Sequence, residues 1–116
     1  MVIADGHRRV RSALRALLST LPDLEVVGET GDGDEVLRLA ASLRPDVLVL
    51  DAQMPRMGGL DAAREVKRRW PETRIVVMTL NGAHRAAAAE SDVDALVLKY
   101  GAPDEVVRAI TVHRMS

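Results

Sequence analysis

Five short apolar runs punctuate the chain: "VIA" (2–4), "EVVG" (25–28), "DVLVL" (46–50), "RIVVM" (74–78) and "DALVL" (94–98). Most are continuous rather than alternating in polarity, the pattern of strands covered on both faces of a parallel sheet. Between them the period changes. Val10, Ala13, Leu14, Leu17, Leu18 and Leu21 recur at three- and four-residue spacing and predict one apolar helix face. Val36, Leu37, Ala40 and Leu43 repeat that spacing before Pro45, and a third helical stretch from Leu60 to Trp70 stops at Pro71, because the residue before a proline is pushed out of the helical region. The last helical stretch begins near Pro103, where Asp104 and Glu105 suit a helix N-terminus. The fourth, "NGAHRAAAAESD" (81–92), is weaker: its alanines favour helix but offer little area to bury, so a short, loosely docked helix is expected. Strand and helix alternating five times predict an α/β doubly wound sheet with right-handed crossovers. No repeat, low-complexity tract or linker interrupts it, so residues 1–116 read as a single domain.

Composition narrows the class. A chain of 116 residues is long enough to bury a core without staples. No apolar run approaches the roughly 20 residues of a membrane span, and no signal peptide precedes the first strand. Cysteine is absent, which excludes disulfides and thiolate metal sites and fits a cytoplasmic location. A net charge of −1 and a pI near 6.3 argue against a nucleic-acid surface over the whole domain. The arginines Arg8, Arg9, Arg11 and Arg15, and those of "REVKRRW", read first as solvated helix faces. With Trp70 and Tyr100 the only aromatics, the core is aliphatic and base-stacking platforms are missing.

In doubly wound sheets ligands sit beyond the carboxyl ends of the strands. The residues ending four of the five strands are Asp5, Asp51, Thr79 and Lys99; the other strand ends in Gly28 and Glu29, which find no place in a site. Singly each has a dull reading: an aspartate at a strand end caps a helix or makes a turn, Thr79 forms a turn, Lys99 is a surface charge. Two carboxylates, a hydroxyl and an ammonium on one rim point instead to a common site.

These residues carry a resemblance. The segments "ADGH" (4–7), "VVGETGDGDEVLRLA" (26–40), "RPDVLVLDAQMPRMGG" (44–59), "VVMT" (76–79) and "LVLK" (96–99) resemble the receiver domain of bacterial two-component response regulators. Within that family they are most like the subfamily with a C-terminal helix-turn-helix output domain. The resemblance implies a flavodoxin-like sheet of order 2-1-3-4-5 with five helices, the fourth short. It implies that Asp51 accepts a phosphoryl group from a sensor histidine kinase, that Thr79 and Lys99 contact phosphoryl oxygens, and that Mg²⁺ is held by Asp5, Asp51 and the backbone carbonyl of Gln53. A carboxylate can act as nucleophile here because phosphoryl transfer is mostly positioning and charge neutralisation. It implies, too, a regulatory module rather than an enzyme, a homodimer, no membrane, and DNA reached only through an output domain outside this chain. The runner-up is a pseudo-receiver that works without phosphorylation as a ligand-binding or dimerisation module. A small flavodoxin-like enzyme is the third reading, but no phosphate-cradling glycine loop supports it.

The chain departs from the family pattern at its first acidic pair. Receivers commonly place two acids there, the second a direct metal ligand; here Gly6 follows Asp5. Asp5, Asp51 and Lys99 give the rim a formal charge of −1 where a pair would give −2, so a weakened Mg²⁺ site is expected and Lys99 is left to neutralise Asp51 directly. Alternatively, or as well, Gly6 relaxes the strand-to-helix turn through a positive φ. The stretch between Thr79 and Lys99 is shorter than usual, Leu96 replaces a signalling aromatic, and Asp92 replaces a glycine. His7 is expected to cap or pack rather than ligate; His84 and His113 are isolated. Met54 and Met57 are expected to shape the loop around Pro55, and the acidic "GDGDE" (31–35) reads as a turn into the second helix.

Overall fold

The computed structural model describes residues 1–80, 93–99 and 103–115. Five parallel strands, β1 (Val2–Ala4), β2 (Gly28–Thr30), β3 (Val47–Asp51), β4 (Arg74–Thr79) and β5 (Ala95–Leu98), form one sheet in the order β2-β1-β3-β4-β5. Four helices are described: α1 (Arg8–Leu18), α2 (Gly33–Leu43), α3 (Gly59–Arg69) and α4 (Pro103–Met115). The expected short helix over 81–92 lies outside the described residues. The architecture is the flavodoxin-like doubly wound fold.

Period-two alternation sorts the strand residues between two cores. Val2, Ala4, Leu48, Leu50, Ile75 and Val77 pack with Val36 and Ala40 of α2 and Ala62, Ala63 and Val66 of α3. Ile3, Val47, Val49, Val76 and Met78 point the other way and pack with Leu14 and Leu18 of α1 and Val106 and Ile110 of α4. Both faces of β1, β3 and β4 are thus dry, which is why those runs show no polar alternation. None of the described helices is long and apolar enough to cross a membrane.

Several boundaries differ from the sequence reading, each for a visible reason. The strand expected over 25–28 begins at Gly28, because its ladder with β1 starts where Val2 meets Gly28. Val27 donates to the carbonyl of Met1 at 2.9 Å but its side chain is exposed. Helix α1 ends at Leu18, capped by Ser19, so Leu21 packs on the core from the following turn. Helix α2 begins earlier than its apolar face, because Asp32 caps it by accepting from the backbone N–H of Asp34 at 2.9 Å.

Two glycines set how closely the elements meet at the carboxyl end of the sheet. A Cβ on Gly33 would stand 1.7 Å from the carbonyl oxygen of Met57, and one on Gly59 would stand 2.0 Å from that of Asp51. Side chains at either position would push α2 or α3 off the loop that follows β3. Gly33 donates to Pro55 and Gly59 to Ala52, at 3.3 and 3.0 Å. Arg56, held at a φ of 68°, reaches back to form an ion pair with Asp32. Met54 and Met57 are partly buried against the α2–α3 core, as loop-shaping residues should be.

Candidate functional site

Strand order reverses between β1 and β3, and the residues leaving these strands at their carboxyl ends are Asp5 and Asp51. A doubly wound sheet opens its crevice at this switch point. Both aspartates are buried, at 0% and 3% exposure. Asp51 pairs in register with Met78, one residue short of Thr79, which is itself buried. The backbone N–H of Lys99 donates to the Thr79 carbonyl at 2.7 Å, carrying the β4–β5 ladder past the strand end and bringing the lysine to the same rim. All four residues read from the strand ends therefore share one rim.

Their charges are closely interlocked. Lys99 Nζ donates to Asp51 Oδ2 at 2.7 Å and to Asp5 Oδ1 at 3.1 Å, with its side chain 1% exposed. Burial is the largest single influence on this ammonium and acts to lower its pKa. The hydrogen bonds to Asp51 and Asp5, and their negative charge, together outweigh it and hold Lys99 above the usual lysine range. The expected direct neutralisation of Asp51 by Lys99 is present in the geometry. Asp51 Oδ1 accepts from the backbone N–H of Gln53 at 3.1 Å, so the turn after β3 orients the carboxylate and brings Gln53 beside it.

Asp5 has one satisfied oxygen and one that is not. Oδ1 also accepts from the backbone N–H of His7 at 2.7 Å. Oδ2 lies 3.1 Å from Lys99 Nζ, yet it is buried without a hydrogen-bond partner. The oxygen thus has the ammonium's charge nearby but no hydrogen bond, which leaves lone-pair capacity for a further donor or cation. Mg²⁺ takes a few hard oxygen ligands and keeps waters, so this oxygen and the Asp51 carboxylate suit it in kind.

Two residues depart from the sequence reading. Gly6 has no positive φ, so it is not a left-handed turn device. It is exposed, and a Cβ there would meet only Pro55 Cδ at 3.5 Å and the Gly31 carbonyl at 3.9 Å, both ordinary contacts. His7 neither packs nor caps with its side chain: it occupies the N-cap position of α1 without a side-chain bond and its ring is 65% exposed. Its Nδ1 stands 3.0 Å from Lys99 Nζ and 3.4 Å from Asp5 Oδ1. One ligand atom each from Asp5, His7 and Asp51 lie within 4.8 Å of one another. The sequence holds a hint, since His7 follows Asp5 by two residues; the lysine that gathers them is 92 positions from His7.

The arginines of α1 are not all solvated. Arg11 donates to the carbonyl of Asp5 at 2.6 Å and to Glu29 at 3.4 Å, and Arg15 meets Glu29 at 2.7 Å. The Arg15 hydrogen bond, with lesser help from Arg11, lowers the Glu29 pKa despite some opposing desolvation. Glu29, which had no place in the sequence reading, thus clamps α1 to β2 beside the site. In α3, Lys67 is similarly engaged, by Asp94 at 2.9 Å and the Thr73 carbonyl at 2.6 Å.

Residues 1–111 match the family model described as the response regulator receiver domain. Over 115 residues the chain is 37% identical to an uncharacterized transcriptional regulatory protein, YhcZ, of Bacillus subtilis, covering 97% of this chain and 54% of that protein. It thus spans about half the length of that relative, and 37% of the transcriptional regulatory protein LiaR of the same organism, to which it is 40% identical over 79 residues. Among solved structures, the signal receiver domain of the response regulator NarL from Mycobacterium tuberculosis superposes with a TM-score of 0.90 at 29% identity, covering 99% of this chain and 95% of that one. The receiver domain of RcsB from Salmonella enterica serovar Typhimurium, determined with a beryllofluoride phosphomimetic, gives 0.90 at 30% identity, covering 99% and 87%. The sheet order, the rim residues and these matches agree: the chain belongs to the response regulator receiver domain family.

Proposed function

We propose that this receiver accepts a phosphoryl group on Asp51 from a sensor histidine kinase and so controls a transcriptional output. The observation that carries the reading is the buried Asp51 carboxylate at the end of β3, held by an ammonium at 2.7 Å. In the transfer, a carboxylate oxygen of Asp51 forms the new P–O bond as the P–N bond of a phosphohistidine breaks and the departing imidazole takes up a proton from solvent. The protein's part is positioning and charge. Gln53 N–H orients Asp51, and Lys99 moves from the carboxylate to an oxygen of the arriving group, a charge-assisted bond. Thr79, at the neighbouring strand end, supplies a hydroxyl to another of its oxygens.

Asp5, Asp51 and the Gln53 carbonyl are the groups that would hold Mg²⁺, which when bound neutralises charge on the phosphoryl oxygens. Asp5 Oδ2, buried without a hydrogen bond, supports this assignment. With Gly6 in place of a second acid, the site is weak, and phosphorylation is slow and demands high Mg²⁺. The chain has no external substrate to turn over; it is a cytoplasmic switch module, dimeric in its active form. DNA is contacted by an output domain beyond this chain, a reading supported by relatives about twice its length that are named transcriptional regulators.

A second reading, a pseudo-receiver that works without phosphorylation, draws on Lys99 already being bound to both aspartates. Intact mass after incubation with a small phosphodonor and Mg²⁺ separates the two. A gain of one phosphoryl mass, absent in Asp51→Asn, is expected; an unmodified mass under saturating donor and metal would favour the pseudo-receiver.

A further inference from the structure

Three groups converge on Lys99 Nζ: Asp51 Oδ2 at 2.7 Å, His7 Nδ1 at 3.0 Å and Asp5 at 3.1 Å. An ammonium can only donate, so in the tautomer with its proton on Nε2 the His7 Nδ1 accepts from Lys99. In that tautomer the imidazole lone pair is aimed at the same point as the two carboxylates. We propose that His7 stands in for the absent second acid as a third protein ligand, and that the site prefers borderline transition cations of the Co²⁺, Ni²⁺ and Zn²⁺ class to Mg²⁺. This rests on the reading of the rim as a cation site.

Donor chemistry decides the preference. Two carboxylates alone suit Mg²⁺, whereas imidazole suits the later first-row metals, whose affinity for a mixed nitrogen and oxygen set exceeds that of hard cations. The spacing agrees. Metal–ligand bonds of roughly 2.0–2.2 Å allow two ligands of one ion to stand up to about 4.2 Å apart, and the three ligand atoms lie within 4.8 Å. The His7 Nδ1–Asp5 Oδ1 separation, 3.4 Å, already falls inside that limit. Asp5 Oδ2, buried and making no hydrogen bond, would exchange an ammonium at 3.1 Å for a directly bonded ion. Two carboxylates balance a divalent charge, and Lys99, a point charge on a flexible stem, withdraws as the ion enters. Mg²⁺ has no use for the imidazole.

The test is direct binding by the 116-residue chain, measured by calorimetry with Co²⁺ and separately with Mg²⁺, and by the visible absorption of bound Co²⁺. The native chain should bind Co²⁺ at least about 10-fold more tightly than Mg²⁺, and His7→Gln should lose ~10–100-fold for Co²⁺ with Mg²⁺ affinity unchanged within about 2-fold. The Co²⁺ spectrum should shift as a nitrogen ligand is lost. His7 is mostly solvent-exposed, so the variant keeps the fold. An unchanged Co²⁺ affinity and spectrum in His7→Gln, or an equal loss for both metals, would overturn the assignment of His7 while leaving the Mg²⁺ reading standing. Native chain that binds neither ion would end both.

Discussion

Restoring a carboxylate at position 6 tests the weak-metal reading most sharply. Gly6→Asp adds a Cβ whose nearest neighbours are at 3.5 and 3.9 Å, and the backbone there has no positive φ, so the Cβ meets no overlap and no backbone strain. Without metal, opposing effects nearly cancel. Repulsion from Asp5 and Asp51 is worth about 1 kcal/mol at 4 Å in water, rising to about 4 at an effective dielectric of 20, and the exposure of Gly6 and the presence of Lys99 keep it near the lower figure. Against it stand about 0.3–1 kcal/mol from a negative charge beside the N-terminus of α1 and about 0.4–1 kcal/mol from the reduced freedom of the unfolded chain. In chelator the variant should therefore lie within about 1 kcal/mol of the native chain.

Metal separates them. A regained direct ligand should raise Mg²⁺ affinity by at least ~10–100-fold, or about 1.4–2.8 kcal/mol. At a Mg²⁺ concentration ten times the variant's Kd, linkage stabilises the variant by about 1.4 kcal/mol and a native chain binding tenfold more weakly by about 0.4. Urea denaturation of both proteins in chelator and across a Mg²⁺ series, with calorimetry for the affinities, measures each quantity. Equal Mg²⁺ affinities, with both proteins folded, would refute the reasoning: either the rim already binds the ion fully or the new carboxylate does not reach it.

Lys99→Met removes the cation paired with both buried carboxylates, and breaking such a group from one side costs about 3–5 kcal/mol; urea midpoints in chelator should fall accordingly, and saturating divalent metal should recover part of the loss. Because the folded Lys99 pKa is raised, its contribution is complete below the unfolded value of about 10.4 and disappears only as pH climbs through the folded one. The stability gap between native and Lys99→Met should thus be flat from pH 7 to about 10 and close above it; a gap that closes near neutrality would contradict the ion-pair account. Gly33→Ala, favourable by roughly 0.5–1 kcal/mol in an open helix, should instead destabilise by about 1–3 kcal/mol, since its Cβ would overlap the Met57 carbonyl at 1.7 Å. A neutral or stabilising result by chemical denaturation would mean that the loop after β3 yields.

Much of this fold is legible in the sequence because its strands are unambiguous. β3 and β4 are buried on both faces, and a short apolar run with no alternation, bounded by turn residues, fits a doubly covered strand better than a helix. β2 is the exception. Its residues Gly28, Glu29 and Thr30 include no large apolar side chain, and the apolar pair beside it, Val26 and Val27, precedes the ladder. Edge pairing, not hydrophobicity, sets its limits, and local pattern carries no record of where a partner strand begins. Asp5, Asp51, Thr79 and Lys99 are legible for a different reason: strand ends in a doubly wound sheet face one crevice, so topology converts four distant positions into neighbours.

That conversion works for residues at strand ends and fails one step beyond them. Gly6 and His7 lie past the end of β1, where the backbone no longer follows the sheet, and no local pattern says that the glycine has an ordinary φ or that the imidazole turns toward the crevice. Arg11 shows the same limit. It belongs to a helix face that counts as solvated on composition, yet it binds the carbonyl of the residue that carries the orphan oxygen. The consequence is chemical. Reading charges along the rim gives two carboxylates against one ammonium, with the missing acid as the only irregularity. The assembled contacts add an imidazole nitrogen at 3.0 Å from that ammonium and a fixed backbone behind Asp5, so the available donor set is mixed rather than merely depleted. A depleted oxygen site would bind every divalent ion less well. A mixed site would rank them differently, and that ranking is what the paired Co²⁺ and Mg²⁺ titrations measure.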